Sequence, residues 1–140
     1  EYAHLTALLA NLPQGVTLVP IGAAEMAFCR KTPWAADFVG MFTDAEYARS
    51  GLGVLVCADG ASVSGASSYA AYPGGIEVEV DTAPAYRGHG YATLAAAKLI
   101  LTAHQQGKIA TWDAANETSA HIAQKLGYRV TCAYQVFTTA

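Results

Sequence analysis

A short glycine-containing loop is the first segment whose residue types could do chemistry. "YRGHGYAT", residues 86–93, places Arg87, Gly88 and Gly90 directly before an alanine-rich stretch that favours a helix. The first turn of a helix has backbone N–H groups without intrahelical partners, and the aligned peptide dipoles add partial positive charge. Because glycine has no Cβ, an anion can approach this backbone closely. The pattern predicts a site for a phosphate or pyrophosphate; a tight turn without a ligand is the alternative.

The strand before this loop carries acidic residues in alternation. In "IEVEVD", residues 76–81, the side chains of Glu77, Glu79 and Asp81 point to one face and the apolar ones to the other. A half-exposed strand with a wet face would explain the pattern. A partly buried carboxylate with a raised pKa could instead accept a proton from a reacting group. Because this strand feeds the glycine loop, we favour Glu79 or Glu77 as a general base.

The surrounding elements predict a fold of the mixed α/β (α+β) class, in one domain over residues 1–140. Three strands in succession, with Asp59-Gly60 and Pro73-Gly74-Gly75 as turns, form an antiparallel meander. The later elements alternate, so the meander is followed by a β-α-β-α-β succession with helices for both sheet faces. The predicted strands are 15–21, 54–58, 61–72, 76–82, 108–112 and 132–139, and the predicted helical segments are 1–13, 22–31, 32–42, 43–51, 92–106 and 116–127.

Composition excludes several classes of partner. The chain has 140 residues, 53% hydrophobic and 14% charged, with a net charge of −3 and no basic run, so we expect a globular protein that does not bind nucleic acid. The longest apolar run, 91–103, is interrupted by Lys98 and is too short to span a bilayer. The three cysteines are scattered and match no metal or disulfide spacing, which indicates reduced thiols, no metal and a cytoplasmic location. The chain begins at Glu1 without a signal-peptide pattern, and we expect a processed chain or part of a longer one.

The spacing around the loop resembles a known family. Arg87-x-x-Gly90-x-Ala92 after a strand, followed by Asn116 and then "QKLGY", is similar to the Arg/Gln-x-x-Gly-x-Gly/Ala pattern of the GNAT superfamily of N-acetyltransferases. The resemblance extends over residues 16–137. It implies a GNAT fold and acetyl transfer from acetyl-CoA to a primary amine by direct transfer in a ternary complex. The acceptor would be a small molecule or a peptide, and homodimers are common in the family.

The resemblance also implies which residues contact coenzyme A. The pyrophosphate would bind the loop and the first helical turn, the pantetheine arm would pair with the strand near Val80, and Asn116 would contact the pantetheine or the strand end. The loop residues so implied are Arg87, Gly88, His89, Gly90, Tyr91, Ala92 and Thr93.

Two alternatives stay open at this point. Ala123 stands where many family members have a tyrosine that acts as general acid, which favours an acyl-CoA-binding sensor without turnover. The sequence Gly88-x-Gly90, with Asp113 further on, also fits a dinucleotide-binding site, although Thr93 replaces the third glycine of that pattern.

Overall fold

The computed structural model describes residues 2–113, 122, 124–130 and 136–139. Its helices are α1 Ala3–Ala10, α2 Ala23–Lys31, α3 Asp44–Ser50 and α4 Tyr91–Gln105, with short 3₁₀ helices at Pro33–Phe38 and Pro84–Tyr86. Its strands are β1 Val16–Pro20, β2 Gly53–Ala58, β3 Ala61–Tyr72, β4 Gly75–Thr82, β5 Ile109–Asp113, β6 Tyr128–Val130 and β7 Val136–Thr139.

The described strands form one mixed sheet in the order β1-β2-β3-β4-β5-β7-β6. The predicted meander of β2, β3 and β4 is confirmed, and among the described strands β4 and β5 alone run parallel. A doubly wound dinucleotide fold would have a mostly parallel sheet, so this topology disfavours that alternative.

The two faces of the sheet have different cores. On one face, α1 and α4 pack against apolar residues that include Val56, Ile76 and Val78. Small side chains on α4 let its backbone lie close to the sheet; its buried residues are Ala95, Ala96, Ala97, Leu99, Ile100 and Ala103. On the other face, α2, the Pro33–Phe38 helix and α3 form a second cluster around Leu55. The acidic residues of β4 lie on this second face, because they alternate with Ile76 and Val78.

Local signals explain most of the element boundaries. Thr43 caps α3, since its Oγ1 accepts the Glu46 N–H at 3.1 Å. Asp59 and Gly60 both have positive φ (51° and 86°), as the predicted two-residue turn between β2 and β3 requires. Thr32 does not cap the helix that follows it, because its hydroxyl donates to the Phe28 carbonyl at 2.6 Å.

The C-terminal part differs from the prediction in its number of strands. The sequence predicted one strand over 132–139, whereas the structure has β6 and β7, which pair with each other in an antiparallel hairpin. The described part of the predicted strand is β7, which adds to β5. Most of the helix predicted over 116–127 lies outside the described residues.

Candidate active site

The glycine loop has the backbone conformation that its residue types predict. Gly88 and Gly90 have φ values of 84° and 79°, in the left-handed region that glycine adopts most easily. A Cβ added at either position would meet nothing within 4 Å. The path of the chain therefore requires these glycines, and no described residue fills the space next to them.

The N-terminus of α4 has no side-chain cap from the part of the chain that the structure describes. Gly90 occupies the N-cap position, which has no side-chain hydrogen bond. Within the described part of the chain, none of the backbone N–H groups of residues 87–93 donates to a protein acceptor. Because helix N-termini stabilise negative charge, this arrangement presents uncommitted donors to an anion.

The side chain of Arg87 is held against the end of β4. Its Nε donates to the Thr82 carbonyl at 3.4 Å, and its Nη2 lies 3.8 Å from Asp81 Oδ1. Asp81 is itself fixed by the Thr82 N–H, which donates to the same oxygen at 2.8 Å. The guanidinium remains largely exposed at the end of β4, where it could contact a bound anion.

Strands β4 and β5 separate near the loop. Their parallel pairing runs from Gly75 with Ile109 to Val78 with Trp112. From residue 79 to residue 82, β4 pairs with β3 alone within the described strands. The edge of β4 around Val80 is therefore available to another extended group in this part of the structure.

Glu79 lies at the start of this unpaired stretch and has an altered acidity. Burial is the main reason that the pKa of its carboxyl group is raised to about 7. The negative charges of Asp37, Asp81 and Glu77 contribute to the same increase in pKa. At neutral pH the group is therefore close to half ionised. A pKa near the working pH favours a general base, because the carboxylate is present in a substantial fraction of the molecules and still binds a proton readily.

The elements that bury Glu79 are fixed by a polar cluster on the facing strand. Ser67, its register partner on β3, is fully buried. The Ser67 hydroxyl donates to the Phe38 carbonyl at 2.7 Å and can accept from the Tyr47 hydroxyl at 2.7 Å. These bonds join β3 to the 3₁₀ helix that carries Asp37 and to α3. Sequence reasoning missed Asp37, since 42 residues separate it from Glu79 along the chain.

The remaining predicted residues occupy three kinds of position. Glu77 is half-buried and pairs with Ala70 and Thr111, so it lies between two strands rather than at the open edge. His89 is exposed; its Nδ1 lies 2.9 Å from the Tyr86 carbonyl, and its ring stacks on Tyr91 at 5.4 Å between centroids. The side chains of the first turn of α4, Tyr91, Ala92 and Thr93, are half-buried.

Two residues named in the sequence analysis, Asn116 and Ala123, lie outside the described residues. Within the described ranges, no cluster of three or more His, Cys, Asp and Glu side chains could hold a metal ion. None of the helices in those ranges is both long and apolar enough to cross a bilayer.

Comparison with solved structures identifies close architectural relatives. A GCN5-related N-acetyltransferase-like protein from Streptococcus suis is 40% identical with a TM-score of 0.92, over 99% of this chain and 56% of that one. A GCN5-related N-acetyltransferase from Kribbella flavida is 23% identical (TM-score 0.65; 93% and 51%). A GNAT family acetyltransferase from Elizabethkingia anophelis with acetyl-CoA bound is 17% identical (TM-score 0.61; 86% and 80%). The chain thus spans about half the length of the first two. No curated protein matches the sequence.

The fold and these comparisons define the class: the chain has the GNAT fold. Within that class, the chain belongs to the GNAT acetyltransferase family, whose sequence model matches residues 1–137. The resemblance stated from the sequence and the predicted fold class are therefore confirmed.

Proposed function

We propose that this chain is an acetyl-CoA-dependent N-acetyltransferase in which Glu79 is the general base for a primary amine acceptor. The acceptor and acetyl-CoA would bind together and react directly. The observation that carries the proposal is the position of Glu79, with its pKa of about 7, where β4 loses its β5 partner and leads into the uncapped N-terminus of α4.

The binding of coenzyme A rests on the backbone of the loop. The N–H groups of residues 87–93 have no protein acceptor among the described residues, and they would donate to the pyrophosphate oxygens. Arg87 would add charge from the side of β4. The edge of β4 near Val80 would accept the pantetheine amide groups as an added strand. Asn116, His89, Tyr91, Ala92 and Thr93 stay predicted contacts.

The acid–base role of Glu79 follows from its environment. When bound, acetyl-CoA supplies a thioester: the acceptor nitrogen forms the new C–N bond, the C–S bond breaks, and the CoA thiolate leaves and takes a proton from water. The amine must lose a proton for its nitrogen to react, and Glu79 would accept that proton directly or through a water. Because burial, and to a lesser extent the neighbouring carboxylates, raise its pKa, ionised Glu79 is a better proton acceptor than an ordinary glutamate. Glu77, which lies where β4 is paired with both β3 and β5, is the second candidate.

Ligand binding and turnover test this proposal separately. Acetyl-CoA should raise the Tm of the chain and bind in calorimetry, whereas NAD should do neither. With a panel of primary amines, thiol release from acetyl-CoA should then be detectable. Binding without release for any amine would contradict the enzyme and favour the acyl-CoA sensor. Absence of binding would reject both. A cytoplasmic location and a homodimer stay predictions.

A further inference from the structure

A second feature of the sheet face that carries Glu79 is an open depression at the other end of β4. Its volume is about 560 Å³. It lies between α3 and the β3–β4 hairpin, with Arg49 on one wall, Lys108 on another and Tyr72 from the hairpin. Nothing in the proposed acetyl transfer uses this depression, so its lining requires a separate explanation.

Two large side chains, Tyr72 and Met41, present apolar atoms in a depression whose lining is otherwise mostly polar. A Cβ at Gly75 would overlap the Tyr72 ring, so this glycine allows the ring to lie against β4. The Tyr72 hydroxyl donates to Thr111 Oγ1 at 3.3 Å, which ties the ring across to β5. Tyr72 nevertheless remains 44% exposed, and Met41, which also lines the depression, is 61% exposed. An apolar ligand segment would cover surface that now faces water.

The charged groups of the depression have a positive balance. Within the described residues, neither Arg49 nor Lys108 has a hydrogen-bonded or ion-paired carboxylate. Glu46 also lines the depression, but its Oε1 accepts the Thr43 N–H at 2.9 Å, and this bond lowers its pKa. Glu46 lies one helical turn from Arg49, and the attraction between their charges is a minor cause of the lowered pKa of Glu46. Two cations against one committed carboxylate favour an anionic group in this space.

The depression and Glu79 are close enough to be reached by one molecule. Ala70, in the lining, is the register partner of Glu77, and Glu79 follows two residues later on the same face. Along a strand this interval is about 7 Å, and from Gly75 to Glu79 it is about 13 Å. A ligand with its amine at Glu79 would therefore extend into the depression over roughly 7–13 Å.

We propose that the hairpin depression binds the acidic end of the acceptor, so that the acceptor is an amine with a carboxylate or phosphate at the far end of an apolar segment. Arg49 and Lys108 hold the anion, and Tyr72 and Met41 cover the segment. This inference rests on the proposed function, since it takes Glu79 as the place of the amine.

The test compares acceptors that differ only in the anionic group. The probes are 6-aminohexanoate and 8-aminooctanoate, matched with hexylamine and octylamine, and the readout is the ratio of kcat/KM for each acid to that for its amine. The ratio should exceed one in the wild type and fall roughly tenfold in Arg49→Gln and in Lys108→Gln, because each variant removes one charged donor. Lys31→Gln, an exposed cation on α2, is the control and should leave the ratio unchanged. Equal ratios in the wild type and both pocket variants would overturn the proposal.

A binding experiment separates this proposal from the acetyl transfer itself. Octanoate has no amine, and its binding can be followed by NMR without acetyl-CoA. Binding that is weakened in Arg49→Gln and Lys108→Gln supports an anion site in the depression even if no amine is acetylated, an outcome that would reject the proposed function alone. If amines are acetylated and octanoate shows no binding that depends on these two residues, the anion site is rejected and the transferase stands.

Discussion

Strand β4 is paired on both sides at its hairpin end but, within the described strands, pairs with β3 alone from residue 79 onward. At the hairpin end, backbone hydrogen bonds to two neighbours and the Tyr72 ring fix the strand. At the other end, the backbone edge and the N-terminus of α4 have no backbone partner among the described residues. The comparison shows how one strand provides both a rigid support and an open binding edge.

The largest expected effect comes from Glu79→Gln, which should lower the rate of acetyl transfer at least a hundredfold. In the wild type, kcat/KM should rise with pH through about 7, because only ionised Glu79 accepts the proton. Pre-steady-state and steady-state thiol release across pH 5.5–9 would measure both effects. The matched control is Glu77→Gln, on the same face two residues earlier, for which we expect a smaller loss. If both variants transfer at the wild-type rate, neither carboxylate is the base.

The next effect concerns the hydrogen bonds of Ser67, which hold the Pro33–Phe38 helix and α3 against β3. Ser67→Ala should lower the free energy of unfolding by about 2 kcal/mol, because it leaves the Phe38 carbonyl and the buried Tyr47 hydroxyl without this partner. Urea unfolding measures this loss. Ser62→Ala is the control, since that half-buried hydroxyl has only a 3.6 Å contact with Cys57 Sγ. A Ser67→Ala protein as stable as the control would show that these hydrogen bonds do not hold the Pro33–Phe38 helix and α3 against β3.

Two glycines, one directly before β4 and one at the N-cap of α4, allow a direct comparison. Gly74 and Gly90 have φ values of 82° and 79°, and a Cβ at either would meet nothing within 4 Å. Alanine at either position should therefore cost roughly 1–2 kcal/mol of stability through backbone strain. Calorimetry should show acetyl-CoA affinity reduced about tenfold in Gly90→Ala and unchanged in Gly74→Ala. Equal affinities in the two variants would mean that the ligand does not approach the loop backbone.

The smallest effect is on stability as a function of pH. The pKa of Glu79 is raised in the folded chain, so the folded state binds more protons than the unfolded state between the ordinary glutamate pKa and about 7. Stability therefore falls as pH rises through this interval. Glu79→Gln should be more stable than the wild type at pH 8 by on the order of 1 kcal/mol, after allowance for solvent screening, and the difference should vanish near pH 4. Thermal unfolding at the two pH values measures it; a constant difference would contradict the raised pKa.

Several elements could be predicted because their signals are local. Two glycines before an alanine-rich segment indicated the loop and α4, and Asp59-Gly60 indicated the turn between β2 and β3. The separate strand β6 was missed, because three residues give too short a pattern for an alternation. For the candidate site, the sequence offered Glu79 or Glu77 as a base, which stays a prediction, and nothing near them in the chain indicated that the charge of Asp37 would act on Glu79.

The sequence by itself determined the alternation that gives β4 one apolar and one acidic face, and the residues that allow positive φ next to a helix N-terminus. These follow from backbone geometry within a few residues. Only the tertiary structure decided that β5 leaves β4 after Val78, that the charge of Asp37 acts on Glu79 beside a buried Ser67, and that Arg49, Lys108 and Tyr72 line one depression. Such properties depend on burial and on charges brought together from distant parts of the chain, and the free energy of a charge is set by that whole environment.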